Sequence, residues 1–138
     1  MNDLRLKDVV GLVEEIYRQL TLKLERQNCK ACGKCCDFES FGHRLYITSP
    51  ELIYFRSKLK ENDVPLLEMA GSVCPYRVEG KCSVYPWRFA GCRIFQCCGA
   101  KQAQGRRSEW AVEPMKAICR RFDAEYNYRD LLTALNGL

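Results

Sequence analysis

The sequence predicts a mainly α fold with a short β-hairpin, built as a small Cys-rich, metal-centred single domain of 138 residues. Three observations point to it. Apolar residues recur at helical spacing near the start of the chain. Two short β-type runs flank Glu79-Gly80. Nine of the ten cysteines fall between positions 29 and 98. The expected organisation is an N-terminal helix over 1–27, a Cys-rich metal-binding core over 28–98, and C-terminal helices over 106–138, together one domain 1–138.

The first helix is predicted over 3–27. Leu6, Val9, Val13, Ile16 and Leu20 recur every three or four residues, and Val10, Tyr17 and Leu24 widen the stripe. A stripe this wide suits docking on the protein's own core better than a dimerising seam. After the first cysteines, an extended piece is predicted at Arg44–Thr48. Ser49-Pro50-Glu51 then reads as a helix start, with Ser49 as N-cap and Pro50 at the first helical position, and that helix ends near Asn62. The run from Cys74 to Tyr85 reads as a hairpin about Glu79-Gly80 that brings Cys74 and Cys82 near one another. Gly99–Gly105 reads as a polar connector. Beyond it, Trp110, Val112, Met115, Ile118, Cys119 and Phe122 mark a helix in which Pro114 belongs near the start. Asn127 is expected to cap a last helix whose apolar face is Leu131, Leu132 and Leu135, with Gly137 as its stop.

Hydrophobic residues make up 47% and charged residues 28% of the chain, which excludes a disordered class. Ten cysteines fit either a disulfide-stapled secreted domain or an intracellular metal protein. Charges recur every few positions through Arg26, so no secretory apolar region is present, and no run approaches the roughly 18 apolar residues of a membrane span. The expectation is a cytoplasmic protein with reduced thiols. The formal charge of +5 treats cysteines as neutral, and metal-bound thiolates would lower it, so the charge argues only weakly for nucleic acid. A short basic run, Lys101, Arg106 and Arg107, reads as a solvated loop.

Cys29, Cys32, Cys35 and Cys36 follow the spacing C-x2-C-x2-C-C. Thiolates are the natural ligands of zinc and of iron–sulfur clusters, and local C-x2-C spacing supplies two of them at little loop-closure cost. The first three match the opening of the bacterial ferredoxin run, although Cys36 follows at once in place of the C-x3-C-P continuation. Glycine at position 33 lets the loop turn back. Cys74, Cys82, Cys92, Cys97 and Cys98 form the second group.

C29-x2-C32-x2-C35-C36, C74-P75-Y76, C82-x2-Y85-x2-R88 and C92-R93-x-F95 together resemble the CxxCxxCC family of zinc- or iron-chelating proteins, the YkgJ type, over residues 29–98. The resemblance implies a small domain that holds an iron–sulfur cluster or zinc and has no settled activity. The family has R-P where this chain has Arg88-Phe89, so the turn ahead of Cys92 is expected to differ. Cys97 fits the C-R-x-F-x-C spacing better than Cys98. The expected ligand set is therefore Cys29, Cys32, Cys35, Cys36, Cys74, Cys82, Cys92 and Cys97. A cluster, with 4Fe–4S favoured, suits the C-x2-C-x2-C loop, while adjacent cysteines suit tetrahedral zinc poorly. Zinc beside or in place of the cluster stays open.

Other candidates rank below these. His43 suits a solvated loop more than ligation. Arg88 and Arg93 either offset thiolate charge or build a salt bridge. Cys119, on an apolar helix face, reads as core. Tyr46, Tyr54, Phe55 and Trp87 read as core or as a lid. No Walker loop, zincin motif or Ser–His motif occurs, so an enzyme is not favoured. The expected function is an electron-transfer, metal-handling or accessory role with a redox or metal-acceptor protein as partner, without a membrane or nucleic acid. The alternatives are a zinc-stapled protein-interaction module and a small iron–sulfur oxidoreductase.

Overall fold

Five helices and two small antiparallel sheets follow one another along the chain in a computed structural model that describes residues 3–23, 46–69, 74–79, 81–94 and 101–136. Helix α1 spans Asp3–Lys23, β1 Tyr46–Thr48, α2 Ser49–Glu61, β2 Arg77–Val78 and β3 Lys81–Cys82. A single 3-10 turn, Tyr85–Trp87, leads to α3, Ala90–Ile94. Helix α4 spans Lys101–Arg121, β4 Tyr128–Asp130 and α5 Leu131–Asn136. The mainly helical fold with a short hairpin is the one the sequence predicts. Among the described residues, no helix is long and apolar enough to cross a membrane.

Helix α1 forms because its apolar stripe has a place to go. Val9, Val10, Val13, Ile16, Tyr17 and Leu20 are all buried, in one cluster with Tyr54, Ala90, Ala111, Met115, Ile118 and Phe122. The tyrosine rings of Tyr17 and Tyr54 meet edge-on at 5.3 Å. On the rim, Lys58 Nζ lies 2.9 Å from Glu14 Oε1 and pins α2 to α1. The predicted residues 24–27 of this helix lie outside the described residues.

A second cluster holds Ile47, Phe55, Leu59, Met69, Tyr76, Val84, Phe89, Leu131, Ala134 and Leu135. Helix α2 serves both clusters, with Tyr54 facing the first and Phe55 the second. Trp87 packs against both.

Four details of the sequence reading are corrected. The N-cap of α2 is Thr48, one residue before the expected Ser49. Thr48 and Glu51 form a reciprocal capping box, whose T-x-x-E signature outweighs a lone serine before proline. Ser49 Oγ instead donates to Glu125 O at 3.0 Å and accepts from Asn127 N at 3.1 Å. Second, α4 begins at Lys101, inside the expected connector, and runs on through Pro114. Seven good helix formers among Lys101–Glu109 outweigh Gly105, which costs about 1 kcal/mol. The buried face around Pro114, from Ala111 to Met115 and Ile118, holds the helix together where proline removes one amide donor. Third, Asn127 caps no helix; residues 128–130 form β4 against β1, with Tyr46 opposite Asp130 and Thr48 opposite Tyr128. Helix α5 starts at Leu131, and Asp130 Oδ1 accepts the Thr133 N–H at 3.3 Å. Fourth, Leu132 is exposed, and the buried face of α5 is Leu131, Ala134 and Leu135. Gly137 lies outside the described residues.

Helices α2 and α4 end alike. Val64 N donates to Leu59 O and Ala124 N to Cys119 O, both at 2.9 Å, while Asp63 and Asp123 adopt φ of 54° and 52°. Each is a Schellman ending with aspartate in the left-handed position that glycine usually fills.

Candidate metal centre

Three of the eight expected ligands, Cys74, Cys82 and Cys92, lie among the described residues; Cys29, Cys32, Cys35, Cys36 and Cys97 lie outside them, as do Cys98 and His43. The three come from different stretches of the chain. Cys74 precedes the hairpin, and its carbonyl accepts the Arg77 N–H at 3.1 Å. Cys82 ends β3, opposite Arg77 in the antiparallel register. The hairpin turns at Glu79, whose φ is 51°, as the sequence predicts for Glu79-Gly80. Cys92 sits in the middle of α3.

They share an apolar floor. All three are half-buried and pack on the second cluster. Phe55 is its centre, edge-on to Tyr76 at 5.3 Å and tilted against Phe89 at 4.7 Å. The Tyr76 hydroxyl donates to Pro65 O at 3.0 Å and accepts from Leu67 N at 2.8 Å. Burial pushes its pKa up. The Tyr76 carbonyl accepts from Ser83 N at 2.9 Å and Ser83 Oγ at 2.6 Å, which locks the base of the hairpin beside Cys82. Phe89 is a core residue with 4% exposure.

The turn between the hairpin and α3 is fixed by two arginines. Arg88 Nε donates to Tyr85 O at 3.1 Å, and its guanidinium lies 3.7 Å from the Tyr85 ring centre. Arg93 donates to Arg88 O at 2.8 Å and Pro86 O at 3.0 Å, and its guanidinium lies 4.3 Å from the Tyr17 ring centre. Burial lowers the pKa of Arg93. Both arginines thus clamp the approach to Cys92, and Arg93 ties it to α1.

Sequence reading missed Glu51. Its carboxylate is 2% exposed and accepts from Tyr17 Oη at 3.0 Å and Ala90 N at 2.7 Å on Oε1, and from Thr48 N and Thr48 Oγ1, both at 2.9 Å, on Oε2. A buried carboxylate is tolerated when its lone pairs are filled in this way. The T-x-x-E spacing was the local signal for half of this network. The bonds to Tyr17 and Ala90 join residues 34 and 39 positions apart and have no local signal.

Cys119 is set apart, as its place on an apolar helix face predicts. It is buried, with Sγ 3.7 Å from Ser49 Oγ and 3.8 Å from Glu125 O. Of the aromatic residues read as core or lid, Tyr54 and Phe55 are buried, whereas Tyr46 is 40% exposed and stacks on Tyr128 at 5.3 Å.

Thiols are soft donors, and the three described ones are half-buried against one apolar cluster. Among the described residues alone, no three metal-binding side chains converge. Compared with family models, curated proteins and solved structures, the chain gives no significant match.

Proposed function

We propose that this chain is a cysteine-rich metal-binding protein of the CxxCxxCC type, with Cys29, Cys32, Cys35, Cys36, Cys74, Cys82, Cys92 and Cys97 as its ligands and an iron–sulfur cluster as the favoured group. The observation that carries the reading is the packing of Cys74, Cys82 and Cys92, from separate stretches of the chain, on one apolar cluster. Nine of ten cysteines fall between positions 29 and 98, which concentrates soft donors in one stretch of sequence. The C-x2-C-x2-C-C loop supplies further sulfurs at spacing suited to a cluster.

A cluster bound here would supply one-electron redox chemistry, and zinc a cross-link without redox activity. The protein's own part is to hold the sulfurs. The aromatic floor limits water beneath them, and the arginine clamps fix the approach to Cys92. We place the protein in the cytoplasm, where thiols remain reduced, and assign it an electron-transfer, metal-handling or accessory role toward a redox or metal-acceptor protein.

The test is anaerobic purification of the untagged protein from iron-replete cells, followed by measurement of iron, acid-labile sulfide and zinc per chain with the visible spectrum. Iron and sulfide in near-equal amounts with a broad charge-transfer band are expected. Zinc alone at full occupancy would overturn the cluster and leave a stapled interaction module. Neither metal would overturn the reading altogether.

A further inference from the structure

We infer that Glu51 is a positioning residue for Cys92, and through it for retention of the metal; the inference rests on the metal-centre reading above. Helix α3 has five residues, too few to be stable through its own hydrogen bonds. Its pose is imposed from outside. Glu51 Oε1 accepts the N–H of Ala90, the first residue of α3, at 2.7 Å, and Cys92 follows two residues later in the same turn.

Glu51 itself cannot drift. Its other bonds fix it to β1 through Thr48 and to α1 through Tyr17. At 2% exposure it has no access to bulk water as a substitute partner. The same carboxylate therefore starts α2 and places α3. Metal–sulfur distances tolerate only about 0.2 Å of error, so a shift of the first turn of α3 is felt at the Cys92 sulfur. Residues that orient ligands without touching the metal typically change affinity about 10–100-fold when altered.

The two oxygens of Glu51 separate positioning from stability. Among the described residues Oε2 accepts from Thr48, whereas Oε1 accepts from Tyr17 and Ala90. Thr48→Ala removes the hydroxyl partner of Oε2, keeps the Thr48 backbone N–H that still holds the carboxylate to β1, and leaves the bond to Ala90. Glu51→Gln replaces one oxygen with an amide that has two donors to place among donors. Glu51→Asp keeps the charge near Thr48 but withdraws it from Ala90.

The experiment uses the anaerobically isolated protein with its own metal. Loss of iron and zinc to excess EDTA is timed for wild type, Glu51→Gln, Glu51→Asp and Thr48→Ala, with far-UV circular dichroism and Tm recorded for each. The two Glu51 variants are expected to lose metal about 10–100-fold faster than wild type. Thr48→Ala is expected to lower Tm and to keep wild-type metal retention. Should Glu51→Gln fail to fold, Glu51→Asp carries the comparison. Wild-type retention in a folded Glu51 variant overturns the inference, as does Thr48→Ala losing metal as fast as the Glu51 variants. A wild-type protein isolated without iron or zinc overturns the metal reading and this inference together.

Discussion

The Tyr17 hydroxyl donates to Glu51 Oε1 at 3.0 Å and joins the middle of α1 to the first turn of α2 inside the core. Both side chains are buried, at 3% and 2% exposure. Tyr17→Phe keeps the ring between Tyr54 and Arg93 and removes only the donor. It is expected to cost about 1.5–3 kcal/mol, the range for a hydrogen bond to a charged group. The change is read from the midpoint of urea unfolding at pH 7.

The same tyrosine makes the fold sensitive to alkali. Burial first, and the Glu51 carboxylate second, raise the Tyr17 pKa well above its ordinary value, while Arg93 acts in the opposite direction and Tyr54 adds to the rise. The folded protein thus holds this proton more tightly than the unfolded chain. Its contribution is complete below the unfolded value of about 10 and is lost as pH rises through the folded value. Urea midpoints measured from pH 8 upward are expected to fall above about pH 10, and to fall less steeply in Tyr17→Phe. Parallel curves for the two proteins would show that Tyr17 does not carry the effect.

Phe89 is a core side chain packed against Phe55. Phe89→Ala is expected to cost about 3–5 kcal/mol, the range for a buried phenylalanine, and Phe89→Pro at least as much as the lost packing. Thermal unfolding of the two variants provides the comparison. A tolerated Phe89→Pro would mean that the aromatic floor does not depend on this ring.

How much of this was legible beforehand depended on whether the signal was local. The stripe from Val9 to Leu20, the hairpin at Glu79 and the end of α2 at Asn62 are all written within a few residues. Strand β4 is three residues, Tyr-Arg-Asp, and exists because β1 offers it a partner far away in sequence. The start of α4 was hidden by Gly105, which reads as loop in isolation. The hairpin expectation held. The floor beneath Cys74, Cys82 and Cys92 could not be read, because its members run from Ile47 to Leu135. Nor could the far half of the Glu51 network, since no periodicity links Tyr17, Glu51 and Ala90.

The two aspartates in left-handed backbone offer a route to stabilisation. Asp63 and Asp123 occupy the positions after α2 and α4 where glycine carries no steric penalty. Asp63→Gly and Asp123→Gly are each expected to stabilise by up to about 1 kcal/mol, since side chains in this region cost roughly 1–2 kcal/mol. Chemical denaturation of the single and double variants tests this; destabilisation would show that the carboxylates make compensating contacts.

Cysteine substitutions separate ligands from core. Cys32→Ser is expected to strip metal and lower stability, because binding is coupled to folding. Cys119→Ser should keep full metal content, since its hydroxyl would face Ser49 and the Glu125 carbonyl within the same buried space. Equal metal loss in both variants would contradict the ligand assignment.

The pairing of β1 with β4 has a consequence for a chain made one residue at a time. Ser49 N donates to Asn127 O at 2.9 Å and Asn127 N to Ser49 Oγ at 3.1 Å, across 78 residues of sequence. Leu131, Ala134 and Leu135 complete the cluster under the cysteines, yet they lie downstream of all three. At about 5–20 residues per second, Leu135 follows Cys92 off the ribosome by roughly 2–9 s. During that interval the floor lacks Leu131, Ala134 and Leu135. Metal captured then would meet a partial site, and the last part of its surroundings would form around it as the final helix docks.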